Sequence, residues 1–152
     1  MKIYVVYFRT MIDSPEVEIK CATTSKFIAE QALTKAQREA DEWMADEDED
    51  SGNWAEACIK TFDGISPAYG PGSLVYVTVE TEWYEEVTTK LHLNGTKPSA
   101  MDYVDLRKKI LIKEDPDLVP YDEDETFEES MHLCNPDVMS DYYFSIEPVT
   151  IR

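Results

Sequence analysis

The sequence predicts one α+β domain spanning residues 1–152, with a mostly antiparallel sheet, one long helix packed on a face and a second, shorter helix. Three observations lead there. Strand-like runs recur near 2–8, 16–22, 74–81, 83–93 and 141–147, rich in β-branched and aromatic residues and, within 16–21 and 74–81, cleanly alternating. One long stretch, 26–45, carries its apolar residues at helical spacing instead. The 152 residues, 43% hydrophobic and 11% aromatic, are enough for one real core, whereas a second independent core would be cramped.

The first strand rests on Ile3, Val5, Val6, Tyr7 and Phe8, dense in β-branched and aromatic side chains. Asp13-Ser14-Pro15 is turn chemistry, and Val17, Ile19 and Cys21 then alternate with Glu16, Glu18 and Lys20, so a hairpin is expected. Thr23, Thr24 and Ser25 offer capping oxygens for the long helix, whose stripe is Ile28, Ala29, Ala32, Leu33, Ala36, Ala40 and Trp43. Trp54–Phe62 reads equally as a short strand or a helical turn. Asp63 to Gly72, with Pro67, Gly70 and Pro71, is loop. Leu74–Thr81 is a strand on Val75, Val77 and Val79, and Trp83–Leu93 either continues it or pairs with it, closed by the turn signal Asn94-Gly95. Ser99 begins the second helix, near 99–111, with Asp102 as a loose capping-box partner and Tyr103, Leu106 and Ile110 on its expected inner face. Its bases Arg107, Lys108, Lys109 and Lys113 lie in the last turns, where they complement the helix dipole. Pro116, Pro120 and Pro136 keep the following segment irregular or extended, and 141–147 returns the chain to the sheet.

The charge is the outlying quantity. Thirty-two acids face fourteen bases, a net charge of −18, and self-repulsion on that scale costs stability. Solubility alone asks for a magnitude of only ~2–8 in a small domain. The acids are also clustered. Eight of the twelve residues from Glu39 to Asp50 are acidic, ending in Asp46, Glu47, Asp48, Glu49 and Asp50. An acidic run at a helix C-terminus opposes the macrodipole, and local conflicts of that kind mark functional sites. From Glu114 to Ile151 there is no Lys or Arg. Glu114, Asp115, Asp117, Asp122, Glu123, Asp124, Glu125, Glu128 and Glu129 are interleaved there with Leu118, Val119, Tyr121 and Phe127, so the segment is more than a solvated tail.

Other chemistries find little support. Cys21, Cys58 and Cys134 are odd in number and lack metal-ligand spacing, which fits a reducing cytosol. The N-terminal apolar run is too short for a signal peptide, and no run reaches the ~18 apolar residues of a membrane span. His92 and His132 lie far apart, and His132 near Cys134 is the one sequence pair that suggests a nucleophile or a metal. No phosphate loop, dinucleotide fingerprint or nucleophile elbow occurs, so no catalytic residue, metal ligand or cofactor is expected. Asp46, Asp48 and Asp50 match the first ligand spacings of a calcium loop, but Ser51 and Ala57 stand where that loop needs Gly and Glu.

Duplex DNA carries one charge per ~1.7 Å of axis, so eighteen charges correspond to roughly 30 Å of duplex, about the reach of a domain with a ~15 Å radius of gyration. Carboxylates engage the same Lys and Arg arrays that neutralise phosphates. Tyr121, Phe127, Trp43 and Trp54 are the candidate apolar anchors, since aromatic residues dominate interface hot spots.

With its acidic runs at 39–50 and 114–129, this short α+β chain resembles the DNA-mimicking anti-defence proteins of phages, the anti-CRISPR and anti-restriction inhibitors. The resemblance is one of composition and implies a mode of action: stoichiometric occupation of the nucleic-acid path of a nuclease effector complex. It implies a nucleic-acid-binding protein as partner, with no direct contact to nucleic acid or membrane. The competing reading is an acidic interaction module or phage accessory protein whose acids serve solubility. The two differ in salt dependence, steep for a mimic and nearly flat for an apolar interface.

Overall fold

The computed structural model describes residues 1–152 apart from the side chain of Glu49. It bears out the α+β class: two helices accompany antiparallel strands. The strands expected in one sheet are divided between two, of three and five strands. The chain forms two compact units, unit 1 comprising Met1–Val75 with Pro148–Arg152, and unit 2 comprising Tyr76–Glu147.

In unit 1, β1 (Ile3–Ile12) is central, with β2 (Ser14–Thr23) on one side and β3 (Trp54–Phe62) on the other, all antiparallel. The β1–β2 turn is tight: Ile12 pairs with Ser14 around Asp13, whose φ of 59° is one that Asp tolerates better than most residues. The ambiguous Trp54–Phe62 segment is thus a nine-residue strand. Pairing to β1 decides what its local pattern left open.

The long helix α1 (Lys26–Ala45) has the predicted bounds and packs on this sheet. Ser25 caps it, its side chain accepting from the Ile28 N–H at 3.3 Å. Ala29, Ala36 and Ala40 are buried, and their small side chains let the helix approach the strands closely. Val6, Cys21, Ala29 and Ala36 form the centre of this core, flanked by Tyr4, Ile28, Ala32, Leu33 and Ala57. Ile151 closes the end of β2 through a parallel bridge to Ala22, and the Thr24 N–H donates to the Arg152 carbonyl at 3.1 Å.

The five-stranded sheet has the order β5-β4-β8-β7-β6, from β4 (Leu74–Tyr84), β5 (Glu86–Asn94), β6 (Val119–Pro120), β7 (His132–Asn135) and β8 (Ser140–Thr150). Trp83 and Tyr84 thus finish β4, and the rest of Trp83–Leu93 is a partner strand and not a continuation. The chain reverses at Glu85 (φ 57°), and β5 pairs antiparallel with β4 from Tyr84↔Glu86 to Tyr76↔Asn94. Asn94-Gly95 leads into the second helix, α2 (Lys97–Glu114), capped by Thr96, which accepts from the Ser99 N–H at 3.2 Å.

The inner face of α2 differs from the expectation. Leu106 and Ile110 are 54% and 36% exposed, and Tyr103 stacks on His92 with ring centroids 3.7 Å apart. The buried residues are Ala100, Val104, Lys108 and Leu111. A lysine interrupts that stripe, so apolar periodicity pointed to the neighbouring face. Val104 and Leu111 join Leu118, Leu133 and Phe144 in the core of unit 2.

Candidate acidic surface

Asp46–Asp50 lie in unit 1, just past α1. Asp46 is the C-cap residue, and no base stands in the last turn, so no basic side chain of that turn offsets the acidic run at the negative end of the helix. Glu47 accepts from the Asn53 side chain at 3.1 Å, and the Asp48 carboxylate accepts from the Asp50 N–H at 3.1 Å, starting a short 3-10 turn that ends at Gly52. Asp46, Asp48 and Asp50 are exposed. The side chain of Glu49 lies outside the described residues. Of the aromatics named beside this run, Trp43 is half-buried and Trp54 lies beneath the Arg9 guanidinium, 5.2 Å from the ring centroid.

The second cluster lies in unit 2, which holds six bases against eighteen acids. Between α2 and β7 the chain is mostly turns and bends, with β6 its only strand. Glu114, Asp117, Asp122, Glu123, Asp124, Glu125, Glu128 and Glu129 are all exposed. Asp115 is different: it is half-buried, and both of its carboxylate oxygens accept from the Asn135 side-chain nitrogen, at 3.0 and 2.9 Å, so it braces the loop from within.

The segment is pinned by a residue that no motif would nominate. Lys108 is 2% exposed, and its ammonium donates to the backbone carbonyls of Phe127 at 3.2 Å and Glu128 at 3.0 Å. It also lies over the Phe127 ring, 6.0 Å from the centroid. Burial pulls its pKa below the ordinary lysine value, while the carboxylates of Asp105, Glu128 and Glu125 oppose that fall. The neighbouring Arg107 is likewise turned inward, forking onto Glu80 at 2.6 and 3.0 Å, with Glu80 itself 4% exposed. Two of the six bases of unit 2 thus serve internal structure, and eight of the nine acids of 114–129 face solvent.

The two proposed anchors separate. Phe127 packs against the core of unit 2, so it holds the loop down. Tyr121 is 65% exposed, and one face of its ring stacks on His132 with centroids 4.3 Å apart and planes 12° from parallel. His132 stacks in turn on Tyr143 at 4.1 Å, and its Nε2 lies 2.8 Å from an Asp141 carboxylate oxygen. Burial, reinforced by the Asp141 charge, pushes the Tyr143 phenol up to about 12. His132 near Cys134 therefore belongs to an aromatic stack, and burial raises the Cys134 thiol, which disfavours a nucleophilic thiolate. Among the described residues, no group of three His, Cys, Asp or Glu side chains is placed to hold a metal, and no helix is long and apolar enough to cross a membrane.

In comparisons with protein-family models, curated proteins and solved structures, nothing matches this chain.

Proposed function

We propose that the protein is a stoichiometric inhibitor that occupies a basic nucleic-acid-binding surface of a defence nuclease, in the manner of anti-CRISPR and anti-restriction DNA mimics. The observation that carries this reading is the Lys108 clamp, which fixes the loop at Phe127 and Glu128 while eight of the nine acids of 114–129 point to water. A fixed array of carboxylates loses less conformational entropy on binding than a floppy acidic tail. Long-range attraction would speed the encounter, and Tyr121 would supply apolar contact. On this reading the protein acts in the cytoplasm and needs no catalysis or cofactor of its own.

The test is a panel of purified restriction and CRISPR effector nucleases cutting labelled duplex DNA. One or more should be blocked at near 1:1 stoichiometry, with the block relieved by added salt. The triple variant Asp122→Lys, Asp124→Lys, Glu125→Lys should lose that block. Full inhibition by the triple variant would sink the role of this loop, and inhibition indifferent to salt would favour an apolar interaction module.

A further inference from the structure

The three-ring stack in unit 2 has an open end. Tyr143 on β8 supports His132 on β7, which supports Tyr121 just beyond β6. The backbone holds the outermost ring as well: the Tyr121 N–H donates to the His132 carbonyl at 2.9 Å, and the adjacent Pro120 pairs with Leu133. One face of Tyr121 is covered by the imidazole, and the ring is otherwise largely in water. An aromatic face held in this way is a receptor for a flat cation. A guanidinium is planar and weakly hydrated, so it lies on a ring with little desolvation cost, whereas a compact ammonium keeps its water.

We propose that Tyr121, backed by His132 and Tyr143, is a stacking platform for an arginine side chain of the partner, so that the surface selects arginine over lysine. This rests on the reading of the protein as a ligand of basic surfaces, and it names the group recognised there. The aromatic stack carries the inference; the carboxylates of Asp122 and its neighbours add attraction that does not distinguish the two cations.

The probes are two peptides of equal length and charge, one with arginine and the other with lysine as its only base, titrated into the full chain at fixed pH and graded salt. Chemical shifts of the Tyr121 and His132 rings and a calorimetric Kd are the readouts. The arginine peptide should bind about three- to fivefold more tightly, the size expected of one exposed cation–π contact. Tyr121→Ala should abolish that preference while leaving the salt dependence of both peptides in place. Tyr121→Phe should keep it. His132→Ala, which removes the support, should weaken it, and His132→Phe should restore it. Equal binding of the two peptides, or a preference that survives Tyr121→Ala, overturns the platform and leaves the acidic-surface reading standing. Failure of both peptides to bind, or binding indifferent to salt, overturns the acidic-surface reading and the platform with it.

Discussion

Arg107 and Lys108 are adjacent in sequence and both turn inward, Arg107 half-buried and Lys108 fully buried, but their partners differ in kind. Arg107 is paired with a carboxylate that has almost no access to water. Arg107→Met should therefore destabilise the protein by about 3–5 kcal/mol, the cost of stranding a buried charge, as read from urea unfolding. Lys108 has only carbonyls as hydrogen-bond partners, so two effects oppose when it is replaced. Losing the donor costs about 1–3 kcal/mol for the unsatisfied carbonyls, while removing a buried ammonium relieves a desolvation penalty of several kcal/mol. Global stability of Lys108→Met should accordingly change little. Amide exchange across 121–130 should nevertheless speed up by about tenfold, equivalent to ~1.4 kcal/mol of local opening. Two tyrosines make an alkaline prediction. Burial, the largest cause for each, pushes Tyr7 and Tyr143 from 10 up to about 12, helped by Cys58 for Tyr7 and by Asp141 for Tyr143. The folded state thus holds these protons more tightly than the unfolded state. The stability they contribute is complete below pH 10 and is lost as pH rises to about 12. Denaturation midpoints should fall over that window, and less steeply in Tyr7→Phe and Tyr143→Phe.

Elements with strong local periodicity were legible in the sequence, and those decided by distant partners were not. The bounds of α1 follow from Ser25 and the alanine stripe. The existence of β1 follows from its β-branched and aromatic residues, and that of β2 and β4 from their alternation. β1 and β4 nevertheless run on to Ile12 and Tyr84, beyond the expected 8 and 81. β3 needed β1 beside it, and β7 is only four residues long, too short to show a period. The buried face of α2 is not legible in the sequence because its stripe includes a lysine, a residue rarely buried without a partner. The acids of 114–129 were visible by composition, but the His132–Tyr143 support beneath Tyr121 joins residues from separate strands and left no local signal. Asp46 opposes the helix dipole, so Asp46→Lys should stabilise the protein by about 0.3–1 kcal/mol at low salt, measured as a shift in the urea midpoint. If the acidic run serves binding, the same change should weaken inhibition. A variant that loses both stability and binding would show that the run serves the fold.

Over the whole molecule the excess charge is unevenly held: unit 1 has eight bases against fourteen acids, and unit 2 six against eighteen. Screening that repulsion should help the fold, since the Debye length shrinks from ~30 Å at 0.01 M salt to ~10 Å at 0.1 M. The Tm should rise with sodium chloride across that range, by about 2–4 °C for each kcal/mol of repulsion removed. A flat or falling Tm would mean that the acids do not strain the folded state. The contribution of Pro148–Arg152 to unit 1 bears on how the protein is made. A ribosome adding roughly 5–20 residues per second must produce all 72 residues of unit 2 before Ile151 can reach Ala22. Unit 1 is therefore the first begun and the last finished. For several seconds the nascent chain carries an open β2 end, and a chaperone that shields edges would find its substrate there.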